Sequence, residues 1–252
     1  VPQPILQARS ISKQFDSGAT PVLAVEHIDL DVAPGEFLCI AGPSGCGKST
    51  LLQMLGGLTP PDSGQVLLNG APLTEPSPEI SVVFQKPNLM PWRTVTDNIL
   101  LPLQIAGVPA AEARRRAEQT LALVGLSDFA GAYPQELSGG MEQRIAVARA
   151  LIQQPRILLL DEPFAALDAL TRERLNDELL HLWRRRKLTA VMVTHNIREA
   201  VFLADRVLVL SPRPGTISAE FPIDLPRPRP PGVQYSQKFG ALAYQIRQAI
   251  TE

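Results

Sequence analysis

Apolar and polar positions alternate through residues 5–34, as in Ile28-Asp29-Leu30-Asp31-Val32, which is the period of half-exposed antiparallel strands. The pattern then changes. Phe37-Leu38-Cys39-Ile40-Ala41 is short and continuously apolar, as a strand buried on both faces would be, and it leads into a glycine-rich segment. Thr50 to Leu58 continues that segment as a helix, and Gln65–Asn69 and Val82–Phe84 have strand character. Between Pro87 and Ala150 the period becomes helical, with Ala113, Ala117, Leu121 and Val124 on one face. Ile157-Leu158-Leu159-Leu160, Ala190-Val191-Met192-Val193 and Val207-Leu208-Val209-Leu210 are three further buried-strand segments. Leu170 to Lys187, with Leu175, Leu179 and Leu182 aligned, predicts a long helix between the first two. Strand–helix–strand repetition implies a parallel sheet with right-handed crossovers.

Proline is frequent from Pro212 to Gly232, which predicts an extended arm rather than a helix or a central strand. Tyr235, Phe239, Leu242, Ile246 and Ile250 then share one helical face, so a terminal helix over 233–252 is expected to dock that face on the domain.

Composition narrows the classes. The chain has 252 residues, 45% hydrophobic and 19% charged, enough to bury a full core. A formal net charge of -1 supplies no overall attraction to nucleic acid or anionic lipid, and no nucleic-acid partner is expected. The basic runs Arg114-Arg115-Arg116 and Arg184-Arg185-Arg186-Lys187 fall in helical patterns and read as solvated helix faces. Cys39 and Cys46 have no metal-site spacing, and a disulfide would distort the glycine loop; both are expected to be reduced, as in a cytosolic setting. No apolar run approaches the ~20 residues that span a bilayer, and no basic-then-apolar segment opens the sequence. The chain is not expected to cross a membrane by itself.

Two motifs carry chemistry. Gly42-Pro43-Ser44-Gly45-Cys46-Gly47-Lys48-Ser49-Thr50 fits GxxxxGK[ST], in which backbone N–H groups and a helix N-terminus converge on phosphate. Lys48 is expected to reach the β- and γ-phosphates and the Ser49 hydroxyl to ligate Mg²⁺. Leu158-Leu159-Leu160-Asp161-Glu162-Pro163 ends a buried strand in adjacent acids. Asp161 suits the Mg²⁺ shell, and Glu162 is placed to polarise the water in phosphoryl transfer.

Leu137-Ser138-Gly139-Gly140-Met141-Glu142-Gln143-Arg144, between these motifs, resembles the signature of ATP-binding-cassette (ABC) ATPases, with Met141 where glutamine is frequent. The resemblance covers nearly the whole chain. It implies an α/β fold: a P-loop NTPase core with a mixed sheet, an N-terminal antiparallel β subdomain and an inserted α-helical subdomain at about 87–150. The ATPase domain would span 1–232, with the extended arm at 212–232 and the terminal helix at 233–252. Within the resemblance Gln85 matches the glutamine that senses Mg²⁺ and water, Asp168 of Ala165-Ala166-Leu167-Asp168 the D-loop, and His195 the switch histidine. His27 and His181 read as structural. Phe15 stands where an aromatic stacks on adenine, with core packing as the competing role.

The resemblance also implies a pair. Ser138, Gly139 and Gly140 of one subunit would contact the γ-phosphate on the loop of a second, so that two copies sandwich two ATP. Asn88-Leu89-Met90-Pro91-Trp92-Arg93-Thr94-Val95, the stretches Phe164–Arg172 and Asn196–Val201, and Leu225-Pro226-Arg227-Pro228-Arg229 resemble the nitrate/sulfonate/taurine import branch. That branch implies an energy-coupling subunit on the cytoplasmic face of a membrane permease, served by a substrate-binding protein. A soluble ABC ATPase not coupled to transport is the alternative.

Overall fold

A computed structural model describes residues 3–16 and 21–251; residues 17–20, inside the first alternating stretch, and Glu252, at the end of the predicted terminal helix, lie outside them. The elements run β1 (Leu6–Asp16), β2 (Pro21–Val32), β3 (Phe37–Ala41), α1 (Lys48–Leu55), β4 (Ser63–Leu68), β5 (Ala71–Pro72), β6 (Ile80–Val83), α2 (Val95–Ile105), α3 (Ala110–Leu123) and α4 (Gly139–Leu151). They continue with β7 (Ile157–Asp161), α5 (Ala169–Arg186), β8 (Thr189–Val193), α6 (Ile197–Leu203), β9 (Arg206–Leu210), β10 (Ile217–Pro222) and α7 (Gln237–Thr251). The chain forms two compact units, Val1–Ser77 with Asn176–Glu252, and Pro78–Leu175.

In the first unit the early alternation folds as an antiparallel sheet in the order β2-β1-β4-β5. Leu6, Ala8 and Ile11 of β1 and Val25, Ile28 and Val32 of β2 are buried. The β1–β2 register shifts between Ala8 and Ile11, at Ser10 (φ +48°), and again between Ile11 and Lys13, at His27 (φ +45°) on the partner strand; both residues are left-handed. An irregularity of this kind displaces backbone donors from the ladder, and side chains take them up. The Ser10 N–H donates to the Asp29 carboxylate at 2.9 Å and the His27 N–H to Ser12 Oγ at 3.0 Å.

β3 is buried along its whole length and lies between β8 and β9, parallel to both. β10 pairs antiparallel with β9 at the sheet edge. The proline-rich stretch therefore contains an edge strand, with its one proline at the last position, where a missing N–H is tolerated. Beyond it two arginines stitch the chain to the end of α6. Arg227 donates to the Asp205 carboxylate at 2.8 Å and lies 4.5 Å from the centre of the Trp183 ring. Arg229, buried, donates to the carbonyls of Val201, Phe202 and Ala204 at 3.1, 2.9 and 2.6 Å. These carbonyls sit at the negative end of α6, where a cation is favoured. Burial, with the Arg227 charge beside it, pulls the Arg229 guanidinium down to about 10.

Phe239 and Ile246 of α7 are fully buried, and Leu242 and Ile250 partly so. Tyr235 departs from the predicted face: it lies in a short 3-10 turn and is 82% exposed. The Ser236 hydroxyl accepts the Phe239 N–H at 3.3 Å, an N-cap contact that starts the helix after Tyr235.

In the second unit β6 and β7 pair in parallel, with Val82 opposite Leu159. The helices α2, α3 and α4 enclose one apolar cluster that includes Ile99, Leu103, Ala117, Leu121, Ile145 and Ala148. Each large aliphatic side chain buried there stabilises the unit by about 1.5–3 kcal/mol.

Candidate functional site

The glycine loop connects β3 to α1 in the first unit. Gly47 caps the helix with φ +101°, and a Cβ there would stand 2.5 Å from the Ala24 carbonyl oxygen, so only glycine fits. Lys48, 5% exposed, turns its ammonium onto the loop, donating to Gly42 O at 2.9 Å and Pro43 O at 2.8 Å. A positive charge, the N–H groups of the helix start and an exposed Ser49 thus occur within a few residues of one another. That combination suits a polyphosphate. Cys39 and Cys46 are buried free thiols, and burial pushes the Cys39 thiol up.

His195 is exposed and directly precedes α6. Its two neighbours are tightly held. The Thr194 hydroxyl donates to the buried Glu199 carboxylate at 2.6 Å, the Asn196 N–H donates to Thr194 Oγ1 at 3.0 Å, and Asn196 caps α6 by accepting the Glu199 N–H at 3.2 Å. The histidine therefore projects from a rigid clip. Phe15, near the end of β1, is 42% exposed, and the Lys13 ammonium lies 5.7 Å from its ring centre. An aromatic left this open suits a stacking role better than a packing one.

In the second unit β7 ends at Asp161, and both it and Glu162 are half-buried. Glu162 has φ +43°, a left-handed conformation that costs a non-glycine residue about 1–3 kcal/mol and is found at functional sites. The turn that follows is held by Arg172, whose guanidinium donates to Phe164 O at 3.2 Å and Leu167 O at 2.7 Å. Asp168 accepts the Thr171 N–H at 3.0 Å at the start of α5. The Thr171 hydroxyl and N–H together hold the Asp168 carboxyl below its ordinary value.

Ser138 is the N-cap of α4, its Oγ accepting the Met141 N–H at 3.4 Å, and Gly139 and Gly140 form the first turn. The positive end of a helix, with glycines at its first two positions, thereby stands at an exposed surface. Gln85 is exposed just past β6. The loop after it is anchored twice from inside the unit. Asn98, 0% exposed, accepts the Met90 N–H at 2.7 Å and donates to the carbonyls of Met90, Arg93 and Thr94 at 3.1, 3.1 and 3.0 Å. Arg149 on α4 donates to Asn88 O at 2.8 Å and Pro87 O at 2.6 Å, and burial lowers its guanidinium. The helix that carries Ser138 therefore grips the loop that carries Gln85. Asn98→Ala, which leaves this loop's polar groups unmatched, is expected to destabilise the protein by about 2–4 kcal/mol, measured by urea unfolding.

Phe15, the loop from Gly42 to Thr50 and His195 thus belong to one unit; Gln85, Ser138, Gly139, Gly140, Asp161, Glu162 and Asp168 belong to the other. The supporting residues Asn98, Arg149, Arg172 and Glu199 were not foreseen. Arg172 and Glu199 lie within the stretches Phe164–Arg172 and Asn196–Val201 that resemble the import branch, but nothing in the sequence gives their hydrogen-bond partners.

Residues 25–165 match the profile of the ABC transporter family. Over 224 residues the chain is 46% identical to the nitrate import ATP-binding protein NrtD of Synechococcus elongatus, covering 87% of this chain and 82% of that one. It is 47% identical over 206 residues to the taurine import ATP-binding protein TauB of Rhizobium johnstonii, covering 82% and 79%. Its fold superposes with a TM-score of 0.77 on the ATP-binding cassette MJ0796, solved as a post-hydrolysis dimer bound to ADP and Pi. The two are 33% identical, with 87% of this chain and 99% of that one covered.

Proposed function

Because the chain belongs to the ABC transporter family of ATPases, we propose that it is the energy-coupling subunit of a binding-protein-dependent importer, acting as a pair of copies on the cytoplasmic face of a membrane permease. The observation that carries this reading is the 46–47% identity, over most of both chains, with nitrate and taurine import ATP-binding proteins. The cargo would be nitrate, a sulfonate, taurine or a related small molecule. No helix among the described residues is long and apolar enough to cross a membrane. The helical unit has a groove of about 610 Å³, lined in part by Asp97, Leu100, Gln104, Val108 and Arg114. Its mixed apolar and charged lining suits a permease segment that reaches out of the bilayer.

ATP is the nucleotide of the family. The loop from Gly42 to Thr50 cradles its phosphates, Lys48 pairs with the β- and γ-phosphates, and Phe15 stacks on adenine. Among the described residues no group of three or more His, Cys, Asp or Glu side chains could hold a metal by itself. By the family resemblance the oxygens of Ser49, Gln85 and Asp161 would hold Mg²⁺, a hard cation that suits such ligands and completes its shell with water and phosphate. Once bound, Mg²⁺ would neutralise charge on the phosphate oxygens.

Ser138 and the N–H groups of Gly139 and Gly140 bind the γ-phosphate held by the second copy, which closes the dimer, and Asp168 meets the partner alongside. Glu162 then takes a proton from the water as its oxygen attacks the γ-phosphorus. The bond to the β–γ bridging oxygen breaks, leaving ADP and phosphate. His195 holds the γ-phosphate during transfer and Gln85 positions the water. Loss of the γ-phosphate removes the shared anion between two donor surfaces, and the dimer reopens.

Affinity purification of the tagged chain from its native membranes tests the transport reading. An integral permease should accompany it. Recovery only from the soluble fraction, with ribosomes or alone, would point instead to a soluble ABC ATPase. Ser138→Arg should abolish the ATP-dependent dimer in light scattering after gel filtration, whereas a surviving dimer would remove the contact across subunits.

A further inference from the structure

The turn that joins β9 to β10, Ser211–Thr216, takes no part in the roles above, yet it is built onto the glycine loop. Ser211 closes the turn: its Oγ accepts the Thr216 N–H at 3.0 Å, and its own N–H donates to Thr216 O at 2.9 Å. Gly215 then bonds β2 on both sides, its N–H donating to Ala24 O and its carbonyl accepting the Glu26 N–H, each at 3.0 Å. A Cβ on Gly215 would stand 2.2 Å from the Cys46 carbonyl oxygen, so the turn lies directly against the loop backbone. From this base Arg213 reaches to Gly45. Its Nε and one terminal nitrogen donate to the same Gly45 carbonyl oxygen, at 3.1 and 2.8 Å.

A two-donor grip by a charged guanidinium is among the stronger hydrogen-bond arrangements. The Gly45 carbonyl and the Cys46 N–H are opposite edges of one rigid peptide plane, so holding the oxygen sets the direction of the N–H. Within the loop that N–H makes a long contact, 3.4 Å to Pro43 O, and the shorter, two-donor grip from Arg213 is the stronger restraint on the plane. We propose that Arg213 is a positioning residue for ATP, which clamps the Gly45–Cys46 peptide so that the loop is shaped for phosphate before the nucleotide arrives. It acts through the loop and does not touch the nucleotide. This inference rests on reading Gly42–Thr50 as a phosphate-binding loop.

A loop that must be ordered on binding loses affinity in proportion to the population of its competent shape. Arg213→Ala is therefore expected to raise the Kd for Mg-ATP about tenfold in isothermal titration calorimetry. The rate at saturating ATP should stay within about twofold, because a preorganised loop affects binding more than the chemical step. The thermal midpoint should be unchanged, since Arg213 is exposed. Arg213→Lys should recover only part of the lost affinity, because an ammonium is a point charge without the guanidinium fork.

Full rescue by lysine would overturn the clamp in favour of charge alone. A loss of affinity matched by a fall in thermal midpoint in both variants would overturn it in favour of general destabilisation. Lys48→Ala serves as the control on the underlying reading. If that variant loses ATP and Arg213→Ala does not, the clamp fails and the phosphate loop stands. If neither loses ATP, the phosphate-loop reading itself fails.

Discussion

Glu162→Gln should hydrolyse ATP about 10²–10⁴-fold more slowly than the parent chain while binding ATP as well as before. The substitution keeps the shape of the side chain and removes its capacity to take a proton. Glu162 directly follows the last residue of a buried strand, in a left-handed backbone conformation that sets the direction of its carboxylate. Glutamine can adopt the same backbone, so the fold should be unaffected. With hydrolysis blocked, the ATP-closed dimer should accumulate and become visible by gel filtration, and phosphate release should fall to near background. Parent-like turnover in the variant would remove Glu162 from the role of base.

Lys48→Ala should weaken ATP binding by at least about a hundredfold, the scale expected when a charged donor to phosphate is removed from a buried position. Lys48 is 5% exposed, and its ammonium is held by two loop carbonyls at 2.9 and 2.8 Å. Its loss removes the cation and frees those carbonyls to repel the anion. Fluorescence titration with an ATP analogue gives the affinity, and a thermal scan checks that the variant is folded. Unchanged affinity would overturn the phosphate-loop assignment.

Much of the fold was legible because its signals are local. The apolar run Phe37–Ala41 gives β3, the alternation of residues 5–34 gives the antiparallel sheet, and the spacing of Leu175, Leu179 and Leu182 gives α5. The motifs on the glycine loop, at the end of β7 and at the start of α4 were likewise contiguous in sequence. What escaped depends on distant partners. Arg149 and the carbonyls of Pro87 and Asn88 are about 60 residues apart in sequence, and Arg213 and Gly45 are 168 apart. An arginine in a helical pattern reads as solvated until its acceptors are known. Arg227 and Arg229 escaped in the same way: the proline-rich phrase around them read as part of an arm and as a match to the import branch, yet both are fastened to the end of α6. Tyr235 was misplaced because periodicity alone does not locate a helix start, and the Ser236 cap does.

The first unit is assembled from the two ends of the chain, and its central strand β3 is paired on both sides by β8 and β9. Roughly 150 residues separate β3 from its first partner, so at ribosomal rates of about 5–20 residues per second it waits about 7–30 s with both edges open. The continuous stretch Pro78–Leu175 emerges whole in that interval. Biosynthesis thus leaves an apolar, unpaired strand exposed at the time when newly made chains are most concentrated, the state that aggregation exploits. A premature stop anywhere before β8 would make that state permanent, and one between β8 and β9 would leave one edge open. Demand for chaperones during synthesis should accordingly be set by the time taken to reach residue 210, whatever the stability of the finished protein.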